Sequence, residues 1–206
     1  MVVFGVTGGV AAGKTTVAGE LERLGARSLN ADRMAHELLR PGSSVFDAVV
    51  SEFGRGVLGP DGRIDRRALA RVVFPAVESG GGGPSPQLLR LQELLHPPVL
   101  QRCRRELDRF RAEGARAAVI DAPLLIEAGM EGMVDCLIVV TASEKTQLGR
   151  AKERSGLGPG QARARMRAQM TLAEKAARAD YVIDGESPLE QMRARVREIW
   201  NEQVGA

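Results

Sequence analysis

Aromatic side chains are scarce in this chain of 206 residues: five Phe, one Tyr and one Trp, 3% of the whole. A core must therefore be packed from Val, Leu, Ile, Ala and Met, which a 44% hydrophobic content allows. There is no basic tail and no RNA-binding aromatic motif, and the formal charge is only +3, which argues against nucleic acid as a main partner. The only cysteines, Cys103 and Cys136, form no C-x-x-C pair. They fit a reducing compartment, where a thiol serves as a small apolar side chain. No apolar run approaches the ~20 residues that span a bilayer. The opening Met1-Val2-Val3-Phe4 lacks the basic region of a signal peptide. A soluble, cytoplasmic protein away from membranes is expected. Lysine is rare as well, at positions 14, 145, 152 and 175 only, against a large excess of arginine. Arginine suits bidentate phosphate binding, although such an excess can equally be a compositional habit.

What the chain does have is Gly8-Gly9-Val10-Ala11-Ala12-Gly13-Lys14-Thr15, a phosphate-cradling P-loop pattern. The apolar run Val2–Val6 before it reads as a buried strand, and Val17, Leu21 and Leu24 after it have helical spacing. Backbone N–H groups from Gly8 to Thr16, with the positive end of the helix, would then converge on the phosphates of ATP. Lys14 adds a mobile cation, and the Thr15 hydroxyl can ligate Mg2+.

Further apolar runs at 26–29, 117–120, 136–140 and 181–183 alternate with helical patterns, which predicts a parallel sheet covered on both faces. Residues 33–114 read as a mostly helical insert, with helices at 45–53, 65–73, 88–96 and 99–112, the last two separated at Pro97-Pro98. The Gly-rich stretch 79–86 reads as a mobile surface loop. Ser143, Thr171 and Ser187 each stand where a helix would be capped, the last two in capping boxes. A helix is expected over 162–170 after the break at 156–160.

A P-loop implies a nucleotide without naming the reaction. No guanine-reading Asn/Thr-Lys-x-Asp sequence is present, which weakens a GTPase reading. Asp32, at the carboxyl end of the second strand, stands where a general base for an acceptor hydroxyl would be. Its blander role is a helix N-cap. Arg150 and Arg154 lie on an Arg-rich helix, turn and helix that suit a lid closing on phosphates, or a solvated face. Asp121 ends an apolar strand as a metal-holding carboxylate or as a turn former. His96 reads by itself as a packed or capping side chain.

Taken together, these stretches resemble the dephospho-CoA kinases over nearly the whole chain. The resemblance runs through 5–18, Leu24-Gly25 to Asn30-Ala31-Asp32, Pro41-Gly42, Asp61-Gly62, Asp65-Arg66-Arg67, Leu94-Leu95-His96-Pro97, Asp121-Ala122-Pro123-Leu124-Leu125-Ile126-Glu127, Gln147–Arg150, 165–169 and 179–183. It implies a three-layer α/β/α P-loop kinase fold with a five-stranded parallel sheet. The core would be 1–32 and 115–206, with a lid at 150–170 and a substrate-binding insert at 33–114. It also implies ATP-dependent phosphorylation of the ribose 3′-hydroxyl of dephospho-CoA, the last step of coenzyme A synthesis, by a monomer or weak oligomer. Asp32, Lys14 and Arg150 would be catalytic. Arg154 would bind ATP, and Asp32, His96, Pro123 and Leu124 the acceptor. Thr15 and Asp121 would hold Mg2+. Three departures stand out: Asn30 where the family often has Asp, Gly185 where it usually has Asn, and a longer Gly80–Pro86 loop. Another small-molecule kinase, with an acceptor such as a nucleotide or shikimate, and a slow P-loop switch are the competing readings.

Overall fold

The structure, a computed structural model, describes residues 1–74, 83–156 and 158–205. Five strands form one sheet: β1 (Val2–Gly8), β2 (Arg27–Asn30), β3 (Ala117–Asp121), β4 (Cys136–Thr141) and β5 (Tyr181–Asp184). Their order is β2-β3-β1-β4-β5, and every pairing is parallel. Helices fill the crossovers, α1 (Lys14–Arg23), α2 (Ala31–Leu38), α3 (Ser44–Phe53), α4 (Arg66–Val73), α5 (Pro86–Ala112), α6 (Glu144–Ser155), α7 (Pro159–Arg167) and α8 (Leu172–Ala176), and α9 (Leu189–Val204) follows the last strand.

Strand side chains alternate between faces, and each face carries its own core. Phe4, Val6 and Ile138 pack with Val17 and Leu21 of α1 and Val196, Ile199 and Trp200 of α9. The few rings are used centrally, with Phe4 stacked on Trp200 at 6.0 Å. On the other face Val3, Leu29, Ile120 and Val139 pack with Met34 of α2 and with Val99, Cys103, Leu107 and Phe110 of α5. Burial raises both thiols, Cys103 to about 11 and Cys136 to about 12, so they behave as the apolar side chains expected. A third cluster, with Val45, Val49, Leu69, Val73, Leu88 and Leu91, belongs to the insert.

The structure corrects the expected break at Pro97-Pro98: α5 runs unbroken through both prolines. An interior proline removes one ladder hydrogen bond and crowds the preceding turn, at ~3 kcal/mol or more. Packing on either side offsets that cost. Leu88 and Leu91 are buried in the insert, and Val99, Cys103, Leu107 and Phe110 against the sheet. The expected capping box at Ser187 is also absent. Leu189 begins α9 after Pro188, and the Ser187 hydroxyl donates to Asp184 instead. The helix expected at 162–170 lies earlier, at Pro159–Arg167, because Pro159 can occupy a first-turn position. The cap at Ser143 and the box at Thr171 form as expected, and Asp65 caps α4. Positions 79–82 of the Gly-rich stretch, and Leu157 in the later break, lie outside the described residues.

Candidate active site

The carboxyl ends of β1, β2 and β3 lie side by side and open onto a cleft of about 740 Å3. Its walls include Val10, Ala11, Gly13, Lys14 and Thr15 from the P-loop, Asp32 and His36 from α2, Asp121 at the end of β3 with Ala122 to Leu124 after it, His96 from α5, and Arg154 and Arg165 from α6 and α7.

The P-loop geometry follows from its small residues. Gly8 has φ +144°, and a Cβ there would meet the Val140 carbonyl oxygen at 2.1 Å. Only glycine lets β1 turn this close to β4. Helix α1 starts after Gly13 with no side-chain cap, leaving its first N–H groups for an anion. Lys14 Nζ donates to the Gly9 carbonyl at 2.7 Å and to that of Gly8 at 3.3 Å. Burial lowers its pKa, partly opposed by Asp121 and Asp32. Gly8, Gly9 and Ala12 lie buried beneath the surface formed by the other loop residues, and Thr16 donates its N–H to the Gly13 carbonyl.

Asp32 sits in the first turn of α2, but Asn30 is the cap: its Oδ1 accepts from the Arg33 N–H at 2.8 Å. The capping reading of Asp32 is therefore corrected. Its carboxylate is open to the cleft yet walled by protein, and this confinement raises its pKa against the pull of His36, Lys14 and Arg165. Asn30 has a second use, its Nδ2 donating to Asp121 Oδ2 at 3.1 Å. An Asp in its place would set two carboxylates together. Asp121 is 8% exposed and its pKa is raised by burial. His96 is half-buried, which lowers its pKa.

Arg150 is not among the cleft residues. Its guanidinium donates to the carbonyls of Ala12 (3.3 Å) and Gly185 (2.9 Å), bridging the P-loop to the turn after β5. The departure at Gly185 has a steric reason, since a Cβ there would lie 1.9 Å from the Ala12 oxygen.

Several residues in or beside the site were given no individual role from the sequence. Arg165 lines the cleft and stands 5.9 Å over the Phe74 ring, so α7 touches the insert. His36 follows Asp32 by one helical turn, a spacing visible in the sequence. Lys175 is fully buried against Glu127 and the Pro123 carbonyl. Its signal was the rarity of lysine in an arginine-rich chain. Among the described residues no cluster of three His, Cys, Asp or Glu could hold a metal. The cleft instead offers hard oxygen donors on Thr15 and Asp121. Such a sparse set fits an ion bound mainly through substrate phosphates and water.

A parallel sheet, a P-loop at its centre, and a carboxylate and the arginines of α6 and α7 around one cleft define a P-loop kinase of small molecules. The family model described as CoaE, dephospho-CoA kinase, matches residues 2–191. A dephospho-CoA kinase of Symbiobacterium thermophilum is 42% identical over 205 residues, covering 100% of this chain and 82% of its own. The solved structure of TT1252 from Thermus thermophilus has a TM-score of 0.76 at 32% identity, covering 98% of this chain and 97% of its own. Dephospho-CoA kinase from Campylobacter jejuni shares the fold, with a TM-score of 0.60 at 24% identity over 97% and 96% of the two chains. The chain belongs to the dephospho-CoA kinase family. Membership assigns it ATP-dependent phosphorylation of dephospho-CoA in coenzyme A biosynthesis.

Proposed function

We propose that the phosphate goes to the ribose 3′-hydroxyl of dephospho-CoA and that Asp32 accepts the proton. The observation that carries this reading is the placement of Asp32 and Lys14 in one cleft, close enough that each perturbs the other's charge. The 3′ oxygen forms its bond to the γ-phosphorus as the bond to the bridging β–γ oxygen breaks, and ADP leaves. Such transfer depends on positioning and charge neutralisation. The P-loop amides and Lys14 hold the phosphates, and Arg154 and Arg165 approach from the lid side. Arg150 reaches the phosphate only by leaving the Ala12 and Gly185 carbonyls. His96, Pro123 and Leu124 contact the acceptor. Thr15 and Asp121 would hold Mg2+, which neutralises phosphate charge when bound. In this reading 33–114 is the acceptor-binding unit and 150–170 the lid, in a cytoplasmic monomer or weak oligomer that acts on small molecules.

The test is ATP-dependent product formation with dephospho-CoA, AMP, adenosine and shikimate, with the phosphorylated position identified. Phosphate on the 3′ oxygen of dephospho-CoA, made fastest, is expected. Faster turnover of AMP or shikimate overturns the acceptor assignment.

A further inference from the structure

β2 and β3 end side by side, with Asn30 opposite Asp121 and Asp121 in turn opposite Val6 of β1. The sheet ladder therefore fixes Asn30 and Asp121 as neighbours one strand spacing apart. Only one orientation of the Asn30 amide suits its surroundings. The Arg33 N–H is a donor, so it takes Oδ1, and this turns Nδ2 toward Asp121 Oδ2. A carboxylate only accepts, so both ends of the amide are matched. Lys14 gives its hydrogen bonds to the Gly8 and Gly9 carbonyls. Asp32 stands two residues past Asn30, in the turn that Asn30 caps. One uncharged side chain thus sets where α2 begins, and with it Asp32, and also holds Asp121.

We infer that Asn30 is a positioning residue for phosphoryl transfer, and that its neutrality keeps Mg2+ out of the site until ATP brings it, which rests on the roles proposed for Asp32 and Asp121. A hydrogen bond to a carboxylate narrows the directions it can face, so Asp121 is held ready rather than ordered at each turnover. The affinity of an oxygen site for a divalent ion follows the charge of its ligands. Asp32 and Asp121 are two carboxylates, and no cluster of three His, Cys, Asp or Glu is present among the described residues. Phosphate oxygens supply the charge that is lacking. An Asn30→Asp change keeps the cap, because Asp caps helices as well as Asn does. It also sets a third carboxylate beside Asp121, where the two repel unless a cation lies between them.

The experiment compares wild type, Asn30→Ser and Asn30→Asp. Serine keeps the cap but is too short to reach Asp121, so it removes one bond and spares the other. Measured well below each melting temperature, Asn30→Ser should lower kcat ~10- to 100-fold, with KM for ATP near wild type. A purely structural residue would lower the melting temperature and leave kcat alone. Melting curves without nucleotide test the charge. Mg2+ alone should leave wild type unmoved, and Mg2+ with ATP should raise its melting temperature. Asn30→Asp should melt below wild type without Mg2+ and gain a few degrees from Mg2+ alone, as an ion that binds only the folded state requires. Wild-type kcat in Asn30→Ser overturns the positioning role. An equal gain from Mg2+ alone in wild type, or none in Asn30→Asp, overturns the role of neutrality. Undiminished turnover in Asp121→Asn would instead remove the Asp121 role that Asn30 serves, a different failure read on a different variant.

Discussion

Lys175 and Glu127 form a buried ion pair, Nζ to Oε1, at 2.9 Å, and the lysine side chain is 0% exposed. The same ammonium donates to the Pro123 carbonyl at 2.6 Å, which also accepts from the Thr7 hydroxyl at 3.1 Å. Glu127 Oε1 in turn accepts the Met170 N–H at 2.9 Å. The pair thus joins the chain leaving α7 to the segment after β3 that lines the cleft. Desolvation lowers the Lys175 pKa, opposed by Glu127.

Removing one member of such a pair leaves the other buried and uncompensated. Lys175→Met should destabilise the fold by about 3–5 kcal/mol, read by urea denaturation. Lys175→Met combined with Glu127→Leu should recover part of that loss. A single variant as stable as the parent would show that the pair has no structural role.

Asp32→Asn should lower turnover by about 10²–10⁴-fold and leave ATP binding near normal. Stability should move the other way. Confinement raises the folded carboxyl's pKa above its ordinary value of about 3.9, so ionising it disfavours folding. That penalty is absent below the ordinary value and grows as pH rises through the folded one. Melting curves should show Asp32→Asn at least as stable as the parent at pH 7, with the gap closing in acid. A variant less stable at neutral pH contradicts this account. The raised pKa also moves the acid limb of kcat/KM above the ordinary aspartate value.

Arg150→Ala should slow transfer by as much as ~10³–10⁵-fold, with a smaller effect on resting ATP affinity. Its partners in the structure are the two backbone carbonyls of Ala12 and Gly185. Single-turnover kinetics beside equilibrium ATP binding separate the two effects. Equal losses in both would make Arg150 only a brace for the P-loop.

Gly185→Asn, the change toward the usual family residue, should harm this chain. Its Cβ would lie 1.9 Å from the Ala12 oxygen and 2.9 Å from that of Thr141, both backbone atoms. The P-loop must shift to admit it. KM for ATP should rise and the melting temperature fall. Tighter ATP binding in this variant would refute the steric account.

The parts of this molecule governed by short-range pattern were legible in the sequence. The strand, P-loop and helix at the start follow from spacing and glycine, and all five strands from their apolar runs. Asp32 and Asp121 were legible because strand ends in a parallel sheet converge. Pro97-Pro98 misled, because local chain stiffness predicts a break while burial at both ends of α5 favours continuity. The Asn30 cap was hidden behind Asp32, since either side chain can cap a helix. Lys175 depends on what the fold places opposite it, Glu127 and the Pro123 carbonyl, many positions away, and no local spacing encodes that.

The sheet pairs β1 with β3 on one side and β4 on the other, with Phe4 opposite both Val119 and Cys136. Those partners are made more than half a chain later. While the protein emerges from the ribosome, the phosphate loop therefore exists as sequence long before it exists as a cradle. Until residue 141 has been synthesised, β1 has an unpaired edge of apolar strand. Contacts so distant along the chain form late and slowly, and an exposed apolar edge can pair with other chains. Synthesis of the second half therefore both completes the nucleotide site and ends the period of greatest risk of misassembly.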